Sequence, residues 1–406
     1  MTAPNPFRPN KPVSPGMFAG RRDEIKAIRA ILAQTRVGNA GHFLIFGERG
    51  IGKSSLMVAA AALAADSADG LPFLVVDVTL TKSDTEAVIA SRIASKIQQK
   101  VGLKRLKDAP TALQEAWDFV RRLEVAGVKL NPSEQIVGAL DVADKLVGAL
   151  EKTTELLKDD FAGVVIVIDE ADTAGIALGS LIKRTIDSLG KGTDRVSFGV
   201  AGLPELPNLM KQGHESSLRG FRHFLIEPLE PQERREVVDL GLAEARVSYG
   251  LDVRLDENAS SIIAALSDGY PHFIQQFAYS AFDADDDMVI SAEDVYAGAV
   301  SDGGALPSLG NAIFHTQFYS EVRSPNAREV LGALAASEMA DSGCWISKAE
   351  LRTMVDLKET TLTGCLKSLS DKHIILKDPE RLGYYRVPSW GFAWWIRKTI
   401  DGAKRK

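Results

Sequence analysis

The chain has 406 residues, of which 45% are hydrophobic and 25% are charged. This composition is ordinary for a globular protein with buried cores, and the length predicts two or three domains. The formal net charge of −6 is uneven, because residues 347–406 hold 13 Lys and Arg against 7 Asp and Glu. That segment carries +6 and the preceding chain −12, which indicates either a polyanionic partner or a solvated tail.

Several kinds of protein are excluded at this level. The two cysteines, Cys344 and Cys365, do not form a CxxC pair, which argues against a disulfide framework and a cysteine-based zinc site. No run approaches the ~18 apolar residues that a membrane helix needs. The proline-rich opening lacks the apolar core of a signal peptide. We therefore expect a cytoplasmic protein without a membrane partner.

The first 230 residues alternate apolar runs with helical periodicity. Strands are predicted at HFLIFG, PFLVVDVTL, GVVIVIDEAD, RVSFGVAG and HFLIEPL. Because helical patterns separate them, a parallel sheet with helices on both faces is favoured, which is the α/β class. Residues 103–160 are helical and polar, and we predict that they form an insertion before the third strand.

From Pro231 the strand pattern stops and amphipathic helices follow. A small helical domain is predicted over residues 231–322. Residues 323–406 predict three helices followed by two strand-like runs, HIILKD and GYYRVP, an order typical of a winged helix-turn-helix. The three tryptophans of the last helix are expected to hold it onto this module; they are Trp390, Trp394 and Trp395.

Residues 47–54 match the pattern GxxxxGK[ST] and lie between a predicted strand and a predicted helix. The glycines let backbone N–H groups face phosphate oxygens, and the helix start adds its positive dipole end. Lys53 is predicted to reach the β- and γ-phosphates, and the Ser54 hydroxyl to ligate Mg²⁺. The alternative is a surface turn that only resembles a P-loop. The predicted nucleotide contacts are Gly47, Glu48, Arg49, Gly50, Ile51, Gly52, Lys53, Ser54 and Ser55.

The third predicted strand ends in two carboxylates, Asp169 and Glu170. In open α/β sheets, ligands bind beyond the carboxyl ends of the strands. Asp169 is therefore predicted to hold Mg²⁺, mostly through water, and Glu170 to orient and polarise the attacking water. The alternative is that both residues merely begin a loop. Each motif predicts the position of the other, so together they predict that the chain binds ATP with Mg²⁺.

GERGIGKS, VVIVIDEAD and the order of strands and helices resemble the AAA+ ATPases. More narrowly, the chain is similar to the branch that holds the archaeal origin-recognition ATPases, the archaeal-type ATPases and the STAND signalling ATPases. The resemblance covers nearly the whole chain but leaves residues 103–160 unexplained. It implies a P-loop ATPase domain over 1–230, a helical lid over 231–322 and a winged helix over 323–406.

The resemblance also implies roles for five residues. Phe18 and Ala19 would contact adenine, or would form a hydrophobic staple before the first helix. Arg222, or less favourably Arg219, would be an arginine finger supplied to a neighbouring subunit in a homo-oligomer, unless both are solvated. Pro271 lies in a segment resembling the GxP motif with which STAND-type lids touch the nucleotide.

Two departures from the family pattern argue for slow hydrolysis. The lid shows no sensor arginine, and the fourth strand ends in Gly202 where a polar sensor is expected. We therefore predict an ATP hydrolase that acts as a slow switch. The alternative is an adaptor that binds ATP without hydrolysing it and whose winged helix docks a protein.

Other P-loop classes fit less well. Residues 81–84, Thr-Lys-Ser-Asp, mimic a guanine-specificity motif but come too early in the sheet for a GTPase. A small-molecule P-loop kinase would need neither Glu170, the lid nor the winged helix. The winged helix is predicted to engage DNA or a protein. For DNA, the contacts would be Lys358, Thr360, Thr361, Thr363 and Lys367 in the major groove, and Lys377, Arg381 and Arg386 on phosphates.

Overall fold

The computed structural model of the chain consists of two compact units. The first unit comprises residues 12–227, and the second comprises residues 1–11 together with 228–406. The part of the predicted insertion at 103–131 lies outside the described residues. The structure describes residues 4–101, 132–189, 194–310, 314–340, 344–372, 374–378 and 380–404.

The first unit is built from alternating strands and helices. Its strands are β1 (His42–Gly47), β2 (Leu74–Thr79), β3 (Val164–Asp169), β4 (Val196–Gly202) and β5 (Phe221–Ile226). Its α-helices are α1 (Arg22–Arg36), α2 (Lys53–Ala65), α3 (Glu86–Val101), α4 (Pro132–Leu156), α5 (Gly175–Leu189) and α6 (Leu206–Gly213). Short 3₁₀ turns lie at Pro15–Met17 and Ala171–Ala174.

The five strands form one parallel sheet in the order β2-β3-β4-β1-β5. Every residue of β4, and all of β3 except its last, is buried, so helices cover the middle of the sheet on both faces. This confirms the predicted α/β class. Because all strands run the same way, their carboxyl ends share one edge, which we call the carboxyl edge.

Helix α4 begins within the segment predicted as an insertion. Its residues 142–150 are not an appendage, because Leu146 and Leu150 are fully buried in the core that β2 and β3 also line. The buried apolar positions in this part of α4 therefore face that core, where the helix packs against α3 and α5. The polar character of residues 103–160 as a whole concealed this stripe from the sequence analysis.

The second unit is mainly helical. Its helices are α7 (Pro231–Tyr249), α8 (Glu257–Ser267), α9 (Pro271–Ala284), α10 (Ala292–Val300), α11 (Ala305–Leu309), α12 (Pro325–Ala340), α13 (Lys348–Met354), α14 (Glu359–Asp371) and α15 (Trp390–Lys404). Its strands are β6 (Arg254–Leu255), β7 (Val289–Ile290), β8 (Ile346–Ser347), β9 (Leu376–Lys377) and β10 (Tyr384–Arg386). A π-helical turn spans Thr316–Glu321.

The region predicted as a helical domain, residues 231–322, contains two short strands that the sequence did not predict. Strands β6 and β7 pair in parallel within the helical region. Each has only two residues, too few to show an alternating pattern. The C-terminal module, residues 325–404, adds β8 to the two predicted strands and orders its antiparallel sheet β8-β10-β9. Its order of three helices and a hairpin is the one predicted for a winged helix-turn-helix.

Residues 5–9 form a strap on the helices of the second unit. Phe7 is 2% exposed and fills the space beside Gly241, where an added Cβ would lie 2.2 Å from its ring. Asn5 Nδ2 donates to the Tyr279 carbonyl at 2.9 Å, and Arg8 N–H donates to Gln275 Oε1 at 2.9 Å. The strap is thus an integral part of this unit's core. Within the described residues, no helix combines the length and apolar character needed to span a bilayer.

Candidate nucleotide-binding site

The loop between β1 and α2 depends on its glycines. Gly50 and Gly52 have φ angles of 76° and 97°, in the left-handed region that side chains disfavour. A Cβ added at Gly47 would lie 2.7 Å from the Ile226 carbonyl oxygen, so only glycine lets the loop leave β1 this close to β5. The backbone therefore turns tightly at the carboxyl edge, as a phosphate-cradling loop requires.

Lys53 is the first residue of α2, and its side chain folds back over the loop. Its Nζ donates to the carbonyl oxygens of Gly47 at 2.9 Å and Glu48 at 2.8 Å. Burial lowers the pKa of Lys53 below its ordinary value, while the nearby carboxylates of Asp169 and Asp172 oppose that shift. The result is a cation held at the mouth of the loop.

The start of α2, the positive end of its helix dipole, directs N–H groups without a side-chain cap toward the same loop. Its N-cap is Gly52, which has no side chain to cap the helix, and its first turn holds no acidic residue. The first-turn N–H groups are therefore placed to receive an anion. Ser54 is half-buried beside Lys53, whereas the Ser55 hydroxyl accepts a 3.3 Å hydrogen bond from the Val13 N–H.

The end of β3 brings carboxylates to this edge. Asp169 Oδ1 accepts the Glu170 N–H at 2.9 Å, and Glu170 adopts a left-handed φ of 52° that turns the chain out of the sheet. A third carboxylate, Asp172, accepts the Leu203 N–H at 3.0 Å. Sequence reasoning missed Asp172, although its position just after the Asp169-Glu170 pair was a usable signal.

Strand register shows how these groups come together. Strand β4 lies between β1 and β3, with Phe46 paired to Gly202 and Ile168 paired to Val200. Neighbouring strands are about 4.8 Å apart. The loop after Gly47 and the carboxylate of Asp169 therefore flank the end of β4, roughly two strand spacings apart.

The segment before α1 lies against α2 but is organised by an unpredicted residue. Met17 is buried, Phe18 half-buried and Ala19 buried. Arg21 is 8% exposed, and its guanidinium donates to the Ile51 carbonyl at 3.4 Å and to the Glu227 carbonyl. Arg21 thus connects the loop to the chain just beyond β5. Its left-handed φ of 57° is not visible in the sequence.

The two candidate finger arginines are both exposed. Arg222 lies on β5, the edge strand, paired with Phe43, and its guanidinium is 5.7 Å from the centroid of the Phe224 ring. Arg219 lies in the preceding turn. Both are therefore at the opposite end of the β1/β5 pair from Gly47, and they do not join the site of their own chain.

Pro271 belongs to the second unit, where it is the first residue of α9. Gly269, two residues earlier, has a φ of 80°, and a Cβ there would lie 2.6 Å from the Leu229 carbonyl oxygen. The turn is therefore specified by local packing. The nucleotide contact predicted for Pro271 remains a prediction.

The cations predicted for the wing are partly engaged within the C-terminal module. Arg381 pairs with Asp378 at 2.7 Å and lies 4.5 Å from the centroid of the Tyr384 ring. Arg386 lies 5.2 Å from the centroid of the Trp345 ring. Lys358, Thr360, Thr363 and Lys367 are exposed on or next to α14, and Thr361 is half-buried.

The donor groups at the carboxyl edge fit a magnesium nucleotide. The glycine-dependent loop and the open helix start suit phosphate oxygens, and Lys53 adds a fixed cation. A hydroxyl at Ser54 and a carboxylate at Asp169 are oxygen ligands of the kind that Mg²⁺ prefers. Glu170, beyond the tip of β3, is an exposed carboxylate available to a water molecule.

Comparison with known proteins agrees with this fold. Among curated proteins no significant match is found. The Walker-type ATPase of Pyrococcus abyssi is 16% identical with a TM-score of 0.56, covering 94% of this chain and 96% of that one. The ORC2 protein of Aeropyrum pernix, in ADPNP and ADP complexes, is 16% identical with a TM-score of 0.57, covering 98% of both chains. Residues 17–198 match the family model of the AAA ATPase domain.

Proposed function

We propose that this protein binds and slowly hydrolyses ATP, and that the nucleotide state controls engagement of DNA or a protein partner by a C-terminal winged helix. The observation that carries the proposal is the convergence, on one edge of the sheet, of the Lys53 loop and the Asp169-Glu170 pair on either side of β4. The likeness to ORC2, which holds adenine nucleotides, supports ATP as the ligand.

Each residue at the edge has a role in this proposal. Residues 47–55 and the start of α2 bind the phosphates, and Lys53 exchanges its carbonyl partners for β- and γ-phosphate oxygens. Ser54 and Asp169 hold Mg²⁺, Asp169 mostly through water, and the ion would neutralise charge on the phosphates. Glu170 accepts a hydrogen bond from the attacking water and orients it.

The remaining assignments complete the nucleotide site. We assign residues 1–230 to the ATPase domain, with residues 1–11 packed in the second unit, 231–322 to the lid and 323–406 to the winged helix. Phe18 and Ala19 would contact adenine, and Pro271 would bring the lid to the nucleotide. The exposure of Arg222 and Arg219 away from their own loop is what a finger donated to a neighbouring copy requires, so we propose activity in a homo-oligomer.

A chain of aromatic contacts supports coupling between the lid and the winged helix. Tyr270 stacks on Phe273 with centroids 5.1 Å apart, and Phe273 meets Phe314 edge to face at 5.8 Å. Phe314 in turn contacts Phe392 at 5.0 Å and Trp395 at 6.1 Å, both on α15. The turn that holds Pro271 is therefore packed continuously onto the last helix of the C-terminal module.

Whether the C-terminal module binds DNA or a protein depends on which of its cationic side chains are available. DNA binding would depend on exposed Lys358, Lys367 and Lys377, because Arg381 and Arg386 are engaged internally. Phosphate contacts would make such binding weaken steeply with salt. A gel shift with duplex DNA at low and high salt tests whether the partner is DNA. Retardation that salt abolishes indicates DNA, and no retardation at low salt removes DNA as a partner.

The proposal is tested by steady-state ATP turnover of the full chain and of Glu170→Gln. Loss of the water-orienting carboxylate is expected to lower turnover by about 100-fold or more, while nucleotide binding is retained. Glu155→Gln is the matched control, because this carboxylate is 70% exposed on α4. Equal turnover by wild type and Glu170→Gln would instead favour the adaptor that binds ATP without hydrolysing it.

A further inference from the structure

The middle of the candidate site is the end of strand β4, where the last residue is a glycine. Strand β4 runs between the strands that carry the loop and Asp169, and its last residue, Gly202, is paired with Phe46. Any side chain at position 202 would be too close to neighbouring atoms. A Cβ there would lie 2.7 Å from Leu206 Cδ2 and 2.8 Å from Asp172 Oδ1.

The space at the end of β4 is instead occupied by the carboxylate of Asp172. This side chain comes from the 3₁₀ turn Ala171–Ala174, which follows the left-handed Glu170. Its Oδ1 accepts the N–H of Leu203, the residue directly after Gly202, at 3.0 Å. The carboxylate is half-buried and anchored by a backbone donor, so its position is fixed relative to the strand.

Asp172 also lies close to the phosphate-binding loop. Its Oδ1 is 2.8 Å from a Cβ built on Gly202, and Gly202 is paired with Phe46, the residue that precedes the loop. Asp169 has a partner in the proposed Mg²⁺. Asp172 is hydrogen-bonded at the end of β4, and it leaves a fixed negative charge one strand away from the loop.

We propose that Asp172 is a positioning residue that sets the preference between nucleoside diphosphate and triphosphate, by opposing the γ-phosphate with a fixed carboxylate at the end of β4. The proposal rests on the proposed ATP site. A triphosphate brings an additional negative group to the edge of the loop, whereas a diphosphate keeps its charge deeper, beside Lys53. The wild-type protein therefore retains the diphosphate form and changes state only at a high triphosphate-to-diphosphate ratio.

The test is the affinity of the full chain for ADPNP and for ADP, each with Mg²⁺, measured by calorimetry on wild type and Asp172→Asn. The amide keeps an Oδ1 acceptor for the Leu203 N–H and removes the charge. We expect the ratio of the ADPNP Kd to the ADP Kd to fall by about tenfold. Asp172→Glu, which restores the charge, is expected to return the ratio toward the wild-type value.

Controls separate this effect from a structural one. Asp187→Asn removes a carboxylate that is 58% exposed on α5 and is expected to leave the ratio unchanged. Asp172→Ser provides a second neutral side chain if the amide variant melts early. Equal changes in both affinities would show that Asp172 only caps Leu203, and weaker ADPNP binding would show that it helps to hold the metal. Either result overturns the proposal about Asp172 and leaves the proposed function standing. A wild-type protein that binds neither nucleotide overturns the proposed function itself.

Discussion

The two units differ in what holds their functional parts together. At the carboxyl edge of the first unit, Lys53 is held by two hydrogen bonds to backbone carbonyls, and Asp169 and Asp172 each accept one backbone N–H. In the second unit, the turn before α9 and the helix α15 are joined through aromatic rings around Phe314. A small change in one of these side chains of the first unit should therefore alter nucleotide binding. A change in the aromatic contacts of the second unit should mainly alter the stability of that unit.

The largest expected effect concerns the lysine of the loop. We expect Lys53→Ala to abolish nucleotide binding, because it removes the cation held over Gly47 and Glu48 and leaves the phosphates without their counter-charge. The measurement is a titration with ADPNP followed by calorimetry. Lys26→Ala, an exposed position on α1, is the control and should bind normally. Tight binding by the Lys53 variant would contradict the assignment of the loop.

The second prediction tests the aromatic contacts. Phe314 is 2% exposed, and Phe314→Ala is expected to lower the free energy of unfolding of the second unit by about 3–5 kcal/mol. Tryptophan fluorescence in a denaturant titration reports this unit, because four of the five tryptophans lie in it. Tyr319→Ala, 43% exposed, is the control and should cost far less.

The same variant sharpens the contrast between the units. At denaturant-free conditions, where the second unit is still folded, the ADP affinity of Phe314→Ala should stay within about threefold of wild type. A loss of affinity as large as the loss of stability would mean that the two units do not behave differently.

The smallest effect is expected at the amino end of the sheet in the first unit. His42 is 4% exposed, and its Nδ1 accepts the Phe198 N–H at 3.2 Å, so burial lowers its pKa to about 4. The unfolded chain, with a His pKa near 6.5, takes up the proton first. Stability should therefore fall as pH drops from about 6.5 to 4, by about 3 kcal/mol in total. His42→Asn keeps an acceptor without titrating, so its stability should vary less across this window.

The loop and the strands around it were predictable because their signals are local. A GxxxxGK[ST] pattern after an apolar run specifies both the turn and its position, and Asp169 follows directly from the end of another apolar run. The hydrogen-bond partners of Asp172 and Arg21 were not predictable. Each depends on a carbonyl or N–H from a distant part of the chain, at Leu203 in one case and at Glu227 in the other.

Elements whose stability comes from tertiary contacts were also missed. Strands β6, β7 and β8 have two residues each, so neither alternation nor β-propensity could identify them. The apolar stripe of α4 was hidden within a polar segment. In both cases a distant partner, rather than local sequence preference, decides the conformation.

The strap at residues 5–9 makes the first unit an insertion within the second. Residues 1–11 and 228–406 belong to one compact unit, so the ribosome synthesises residues 12–227 after the first segment of that unit and before the second. When Phe7 leaves the ribosome, the helices that bury it have not yet been translated. The first unit can thus fold before the strap docks on α7 and α9, and a fragment of residues 228–406 would lack the Phe7 ring beside Gly241.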